Sequence, residues 1–136
     1  MNITVMKKNH LTMIVTFFVT IIALNFSAQA ADPAKGEKVF KQHQCWICHS
    51  LKTGEKKMGP RLLGVMGRKA GTVPGFNYSS AMKKAGKNGL VWTEETLNKY
   101  IKAPRKFVPG NRMPFAGLGS KTKRGDLIAY LKSVAP

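Results

Sequence analysis

The stretch that decides the fold is Gln44-Cys45-Trp46-Ile47-Cys48-His49, in which two cysteines lie three positions apart and a histidine directly follows the second. On a helical turn, cysteines at this spacing present both thiols on one side, where each can add to a vinyl group at one edge of a haem. The histidine then lies close enough for its imidazole to reach the iron. This arrangement is the attachment signature of a c-type haem. We therefore expect Cys45 and Cys48 to bind one haem c per chain covalently.

The N-terminal segment has the three-part layout of a secretory signal. Lys7 and Lys8 form a basic start, residues 11–24 are apolar apart from threonines, and residues 27–30 supply the small side chains that a signal peptidase needs. The apolar run is shorter than the roughly 20 residues of a membrane-spanning helix. We expect cleavage near Ala30, with a retained N-terminal anchor as the weaker alternative.

The length and charge of the chain constrain its class. Its 136 residues are enough for one domain behind a processed segment, so we expect a signal peptide at residues 1–30 and one domain at residues 31–136. A total of 23 Lys and Arg against 6 Asp and Glu gives a formal net charge of +17, and +15 remains without residues 1–30. A surface this basic favours acidic partners. Export argues against nucleic acid as the target.

Three other uses of the cysteine pair have to be weighed against haem. A redox-active dithiol belongs to a strand-helix-strand setting, which the surrounding sequence does not show. A zinc site would have to combine the cysteines with His43 and His49, but ligands so close in sequence could hardly surround one ion as a tetrahedron. A plain disulfide remains open from the spacing alone. Because the exported chain has only these two cysteines and a histidine adjoins them, haem is favoured.

Local patterns predict three principal helices. Asp32-Pro33 is a capping residue followed by proline at the first helical position, and it starts a helix that runs toward His43. Thr93 starts a second helix that ends before Pro104. The last helix begins near Thr122 and carries a broad apolar stripe facing a core.

Between the first and second of these helices, residues 50–81 show no useful periodicity and predict long loops, with a helical turn near residues 79–83. Loops of this extent are uncommon inside a compact domain unless something else organises them. A large buried cofactor would do so. We therefore expect a mainly α fold whose helices and loops wrap around one haem.

The sixth position on the iron separates electron transfer from ligand binding. His43 lies too near the attachment motif to reach the opposite face of the ring. Met113 lies in residues 108–117, a loop stiffened by prolines that can hold a thioether with little ordering cost, whereas ordinary packing suffices for Met58, Met66 and Met82. A thioether closes the iron and raises its reduction potential. This favours an electron carrier over the alternatives, a haem peroxidase or a small-gas sensor.

A series of short segments resembles the class I c-type cytochromes, in the branch that includes mitochondrial cytochrome c and its bacterial periplasmic relatives. The resemblance covers nearly the whole exported domain. The matching segments are Gly36 with Phe40, Cys45-x-x-Cys48-His49, Gly59-Pro60, Gly67-Arg68-Lys69, Pro74-Gly75-Phe76-Asn77-Tyr78, Trp92-Thr93-Glu94-Glu95-Thr96-Leu97, Tyr100, Pro104, Pro109-Gly110-Asn111-Arg112-Met113, Phe115-Ala116-Gly117 and Asp126-Leu127-Ile128-Ala129-Tyr130-Leu131.

The resemblance implies the ligands of the iron and their supports. His49 and Met113 would be the axial ligands, and the Pro60 carbonyl would accept a hydrogen bond from the other ring nitrogen of His49. Tyr100 would reach the Met113 sulfur. Asn111 stands beside Met113 where the mitochondrial pattern has threonine, so the polar network at this point is expected to differ.

The resemblance also implies contacts at the propionate side of the haem. Tyr78 and Trp92 would hydrogen-bond a propionate, with Arg68 nearby. Met82 stands where the mitochondrial pattern has asparagine, and residues 83–91 form a longer stretch that we interpret as a surface loop. The first and last helices are expected to cross near Gly36.

The function that the resemblance implies is a soluble single-electron carrier in a respiratory or photosynthetic chain, and not an enzyme. The expected partners are the acidic docking faces of a quinol:cytochrome c oxidoreductase and of a terminal oxidase or reaction centre, with membrane contact only through these partners and the carrier itself a monomer. Charge steering favours a ring of basic residues around the Met113 loop as the docking face: Arg105, Lys106, Arg112, Lys121, Lys123 and Arg124.

Overall fold

A computed structural model describes residues 30–134, so the predicted signal peptide lies outside the described residues except for Ala30. Six helical segments follow one another along this part of the chain: α1 (Pro33–Gln42), α2 (Cys45–Cys48), α3 (Ser80–Lys87), α4 (Glu94–Lys102), α5 (Pro104–Phe107) and α6 (Lys121–Ser133). The same residues contain no β-strand, only an isolated antiparallel bridge between Lys69 and Val91. The predicted mainly α fold is confirmed.

The three principal helices begin where their capping residues predict. The Asp32 side chain accepts from the backbone N–H groups of Ala34 and Lys35 at the start of α1. Thr93 and Thr96 form a reciprocal capping box at the start of α4. The Ser120 side chain caps α6, so that helix begins one residue before the predicted position.

Helix α3 is longer than the single turn predicted for residues 79–83. The Ser79 side chain accepts from the Met82 N–H and starts the helix, which continues to Lys87. Two of its residues are buried, Met82 and Gly86, and a Cβ on Gly86 would lie 1.9 Å from the Ala70 carbonyl oxygen. The stretch 83–91 is therefore half helix rather than a surface loop, because lysine and alanine favour the helix and Gly86 allows it to pack closely.

The N- and C-terminal helices cross at a glycine. A Cβ on Gly36 would lie 1.9 Å from the Asp126 carbonyl oxygen and 2.7 Å from the Tyr130 Cβ, so only glycine permits this approach. Beside the crossing, the Phe40 and Tyr130 rings pack with centroids 5.6 Å apart. The crossing predicted near Gly36 is thus present, and it brings both ends of the domain together behind the core.

The long segment between α2 and α3 is held by backbone hydrogen bonds rather than by regular structure. Ser50 is buried, and its carbonyl accepts from the Leu62 N–H over 2.8 Å. Further along, the Gly67 N–H donates to the Trp92 carbonyl over 2.8 Å, and the Trp92 N–H donates to the Arg68 carbonyl over 2.9 Å. The segment therefore leads from the cysteine motif to the start of α4. Among residues 30–134, no helix has both the length and the apolar character needed to cross a membrane.

Candidate haem site

The cysteine motif occupies the single turn α2, directly after α1. Gln44 makes the break between the two helices in the left-handed region, at φ 54°, and is the one non-glycine residue with positive φ in the described part of the chain. Cys45 and Cys48 are partly exposed and unpaired, so the structure does not form the alternative disulfide. Burial raises the pKa of the Cys45 thiol. Within residues 30–134, no three His, Cys, Asp or Glu side chains gather into a metal site of the zinc type.

His49 is oriented by the carbonyl of Pro60. The distance from His49 Nδ1 to this oxygen is 2.7 Å, and because a carbonyl can only accept, the proton is on Nδ1 and the Nε2 lone pair is free. A Cβ on Gly59 would lie 2.6 Å from the His49 ring, so the glycine leaves room for the imidazole. Burial lowers the pKa of His49, which favours the neutral imidazole that binds metals.

Met113 is half-buried, and its position depends on Asn111. The Asn111 side-chain oxygen accepts from the Met113 N–H over 3.0 Å. The Asn111 amide nitrogen in turn donates to the carbonyls of Pro104 and Val108, each over 2.9 Å. Asn111 thus joins the Met113 loop to α5 and its end with three hydrogen bonds. The replacement of threonine by asparagine at this position did not by itself predict this role.

Tyr100 comes from α4 and reaches the same loop. Its hydroxyl lies 3.9 Å from the Met113 sulfur and 3.4 Å from the Asn111 side-chain oxygen. Burial and the neighbouring Tyr78 raise the pKa of Tyr100 to about 12. The hydroxyl therefore stays protonated and able to donate across the ordinary pH range.

The loop that carries Met113 is also bound to the segment before α3. The Arg112 guanidinium donates a hydrogen bond to the Asn77 carbonyl, which joins the loop to the segment before α3. Arg112 remains exposed, so its place in the docking ring stays a prediction, although its side chain already has a partner within the fold.

The three residues predicted at the propionate side lie near one another. The Arg68 guanidinium donates to the carbonyls of Leu63 and Arg61 over 3.0 and 2.8 Å, and its backbone carbonyl pairs with the N–H of buried Trp92. Burial raises the pKa of Tyr78, and the nearby Arg68 charge opposes that shift. Backbone carbonyls thus already occupy part of the Arg68 donor set.

The prediction that Arg124 belongs to the docking ring is wrong. Arg124 is only 5% exposed, and its guanidinium donates to the Leu118 and Gly119 carbonyls and to the Asn98 side chain. It points into the fold because it lies on the apolar stripe of α6. The remaining predicted residues of the ring are exposed: Arg105, Lys106, Arg112, Lys121 and Lys123.

This arrangement fits a c-type haem in its donor chemistry. Two free thiols lie three residues apart, an imidazole has its metal-binding nitrogen free, and a thioether is held by an anchored loop. Several apolar side chains that pack against the core are only partly buried and supply apolar surface of the kind that a haem contacts: Leu51, Leu62, Tyr78 and Phe115. The fold and the site together define a monohaem electron-transfer protein.

The comparisons with known proteins agree. Residues 33–135 match the family model described as cytochrome c. A cytochrome c2 of Agrobacterium tumefaciens is 50% identical over 101 residues, covering 74% of this chain and 89% of the relative. A cytochrome c2 of Blastochloris viridis is 49% identical over 106 residues, covering 77% of this chain and 80% of the relative. The structure of cytochrome cH from Methylobacterium extorquens superimposes with a TM-score of 0.68 at 40% identity, covering 76% of this chain and 99% of that one.

The chain belongs to the cytochrome c family. It binds haem c covalently through the motif that contains Cys45 and Cys48, and it transfers electrons in a respiratory or photosynthetic chain rather than catalysing a reaction. The predicted class, cofactor and electron-carrier function are confirmed.

Proposed function

We propose that this cytochrome c carries single electrons through a bacterial periplasm, from a quinol:cytochrome c oxidoreductase to a terminal oxidase or a photosynthetic reaction centre. The bound haem supplies reversible one-electron chemistry at its iron. The signal-like residues 1–30 and the similarity to bacterial cytochromes c2 support the location. The carrier works as a monomer, binds no nucleic acid, and meets membranes only through its partners.

The axial ligands in this proposal are His49 and Met113. The observation that carries it is a pair of anchors: the Pro60 carbonyl orients the His49 imidazole through Nδ1, and the Asn111 side chain holds the Met113 backbone. Anchors of this kind reduce the ordering that a set of ligands requires. A ligand set that is held rigidly in both oxidation states suits electron transfer, because few atoms have to move.

The remaining residues of the predicted site have supporting roles in the proposal. Tyr100 donates to the Met113 sulfur and reduces the electron density that the sulfur offers to the iron. Tyr78, Trp92 and Arg68 serve a haem propionate, with Arg68 compensating part of its negative charge. Two observations support the propionate group: backbone hydrogen bonds join residues 67–70 to residues 90–92, and the Arg68 charge lies near the Tyr78 hydroxyl.

Substitution of Met113 tests the ligand set. Met113→Ala is expected to open the iron, so that carbon monoxide binds the ferrous form and the weak near-infrared sulfur-to-iron band of the oxidised protein disappears. Met66→Ala is the matched control, since Met66 is also half-buried but lies outside the loop. An unchanged spectrum in Met113→Ala would remove Met113 as a ligand.

The attachment and the location have separate tests. Haem should stay with the polypeptide through acid and organic extraction, because two thioether bonds hold it. The mass of the protein purified from the periplasm should correspond to a chain that begins near Ala31 and carries one haem. A protein that retains residues 1–30 would instead be anchored to the membrane.

A further inference from the structure

A cleft of about 450 Å³ lies between the loop that carries Met113 and the start of α3. Its lining is mostly polar and contains no carboxylate. Two cationic side chains and three hydroxyl groups line it: Lys83, Arg112, Tyr78, Ser79 and Ser80. Among these, only Tyr78 is also assigned to the haem, so the cleft is a separate feature of the surface.

The two cations of the cleft come from different segments, and neither has a carboxylate partner among residues 30–134. Lys83 is exposed on the first turn of α3 and forms no salt bridge within that range. Arg112 donates to the Asn77 carbonyl, which uses part of its donor set and leaves its charge uncompensated. Two unpaired cations at one cleft attract an anion.

This anion has to come from outside the polypeptide, because the side-chain carboxylates of the chain are engaged elsewhere. The chain has six Asp and Glu residues. Five of them pair with a lysine: Asp32, Glu37, Glu55, Glu94 and Glu95. The sixth, Asp126, accepts from the Asp32 N–H over 2.8 Å. No side-chain carboxylate is therefore left for Lys83 and Arg112.

Hydroxyl groups complete the donors of the cleft. The Ser79 oxygen accepts from the Met82 N–H over 3.1 Å, so its own proton is free for another partner. Burial raises the pKa of Tyr78, so that hydroxyl is protonated at neutral pH. Ser80 is exposed beside them. A guanidinium, an ammonium and hydroxyl donors around one space are the groups with which proteins hold phosphate oxygens.

We propose that the cleft binds a phosphate-class polyanion, such as inorganic pyrophosphate, between Arg112 and Lys83. The planar guanidinium can hold two oxygens of one phosphate group, and the ammonium acts as a point charge on the other group. The volume of the cleft lies within the range of small-molecule sites, which leaves room for a diphosphate to reach both segments. The anion is neither oxidised nor reduced, so this binding is additional to electron transfer.

A bound diphosphate would strengthen the connection between the Met113 loop and the start of α3. Arg112 directly precedes Met113 in the chain. An anion that binds the closed loop more tightly than the opened loop favours the closed loop by the ratio of the two affinities. This consequence, unlike the binding itself, rests on the proposed function, in which Met113 is a ligand of the iron.

Calorimetric titration of sodium pyrophosphate into the haem-loaded protein tests the binding, at constant ionic strength so that general screening stays fixed. One pyrophosphate should bind per chain. Lys83→Gln should raise Kd about tenfold, because a hydrogen bond between charged groups is lost. Lys87→Gln removes the same charge from the same helix outside the cleft, and its Kd should stay within about twofold of the wild type because solvent ions screen that site.

Substitutions of Arg112 separate geometry from charge. Arg112→Lys keeps the charge but loses the planar fork, so its Kd should lie between those of the wild type and Arg112→Gln. Both variants also disturb the hydrogen bond to the Asn77 carbonyl. If they loosen the loop, the comparison of Lys83→Gln with Lys87→Gln still decides the test, because neither lysine forms a salt bridge within residues 30–134.

The effect on the loop is measured in Asn111→Ala, which removes the hydrogen bond from the Met113 N–H. Saturating pyrophosphate should lower the fraction of this ferrous variant that binds carbon monoxide, and addition of Lys83→Gln should remove the effect. Pyrophosphate that binds without changing carbon monoxide binding would overturn the closing of the loop. An unchanged spectrum in Met113→Ala would instead reject the proposed ligand set, and the calorimetric result would stand.

Three outcomes would overturn the binding site itself. One is a haem-loaded wild type that binds no pyrophosphate. Another is the same lack of binding together with a lower reduction potential in Lys83→Gln, which would show that a haem propionate already occupies the cleft. The third is an equal rise of Kd in Lys83→Gln and Lys87→Gln, which would show that the net charge of the chain attracts the anion and the cleft does not select it.

Discussion

The buried guanidinium of Arg124 donates from Nε to the side-chain oxygen of Asn98 over 2.5 Å, which joins α6 to α4. Its Nη1 donates to the Leu118 and Gly119 carbonyls, each over 2.7 Å. The Leu118 N–H in turn donates to the Ile101 carbonyl over 2.9 Å. Arg124 therefore fixes the end of the Met113 loop against two helices at once.

Replacing Arg124 should lower the free energy of unfolding much more than replacing its exposed neighbour Lys123. Arg124→Met leaves two carbonyls and an amide oxygen without their donor, and each unsatisfied buried group costs about 1–3 kcal/mol. We expect the free energy of unfolding of the haem-loaded protein to fall by about 3 kcal/mol, measured by guanidinium chloride unfolding. Lys123→Met should stay within about 0.5 kcal/mol of the wild type. Equal midpoints for the two variants would contradict the role of Arg124.

Arg124 also shows what sequence reasoning missed and why. Counting charges near the Met113 loop placed it on the docking face, although Leu127, Ile128 and Leu131 follow it at the spacing of one helix face. That spacing was the available signal for burial. Its partners Leu118 and Gly119 offer only carbonyls, and no side-chain pattern in the sequence reveals them.

Elsewhere, too, features that depend on local sequence could be predicted, and features that depend on distant backbone contacts could not. Residues whose chemistry is local could be predicted: the cysteine motif, the helix caps and the stiff loop around Met113. The length of α3 could not, because it depends on Gly86 packing against the distant Ala70.

The helix crossing offers a pair of matched glycine substitutions. Gly36→Ala would put a methyl group 1.9 Å from the Asp126 carbonyl oxygen, so α1 and α6 must separate, and overpacking of this kind costs about 1–3 kcal/mol. Gly125→Ala adds a methyl group whose nearest neighbour is 3.7 Å away, and it should gain up to about 1 kcal/mol of helix propensity. Thermal unfolding of both haem-loaded variants measures the difference. The expected order is Gly125→Ala above wild type and Gly36→Ala well below it.

Asn111 should control how firmly Met113 is held. Asn111→Ala removes three hydrogen bonds to backbone groups, each worth about 0.5–1.5 kcal/mol, and a longer one from the Tyr100 hydroxyl. We expect at least a tenfold increase in the fraction of ferrous protein that binds carbon monoxide, since about 1.4 kcal/mol is a factor of ten. Asn111→Thr keeps one acceptor and should fall between Asn111→Ala and the wild type. If Asn111→Ala excluded carbon monoxide as well as the wild type does, the loop would not depend on Asn111.

Tyr100 predicts an alkaline dependence of stability. Its pKa rises from an ordinary value of 10 to about 12 in the folded chain because the hydroxyl is buried, so above pH 10 the folded state binds the proton more tightly than the unfolded state. The resulting stability is fully present below pH 10 and is lost as the pH rises from 10 to about 12. Two pKa units correspond to at most about 2.7 kcal/mol.

Tyr100→Phe should remove this dependence. Unfolding of the ferrous haem-loaded protein should then vary less between pH 10 and 12, and the highest step of the ultraviolet tyrosinate titration should disappear. Tyr130→Phe is the control, since Tyr130 packs on Phe40 away from the Met113 loop. A titration whose highest step survives in Tyr100→Phe would assign that step to another tyrosine.

The basic residues of α5 should determine how fast the carrier meets its partners. Arg105 and Lys106 are exposed on α5, directly before the Met113 loop, and form no salt bridge within residues 30–134, so their charges are available for steering. Second-order electron-transfer rates should fall as salt shortens the screening length from about 10 Å at 0.1 M to about 3 Å at 1 M. Arg105→Glu and Lys106→Glu should slow the reaction at low salt, and Lys87→Glu, a reversal of the same size at the end of α3, should slow it less.

Arg112 is unsuitable for this comparison because reversing its charge also breaks its hydrogen bond to Asn77. Exposed charges contribute little to folding, so the three variants should unfold at similar denaturant concentrations. Stopped-flow measurement at several salt concentrations decides the matter: rates that ignore salt, or equal losses at Arg105 and Lys87, would show that the basic residues only solvate the surface.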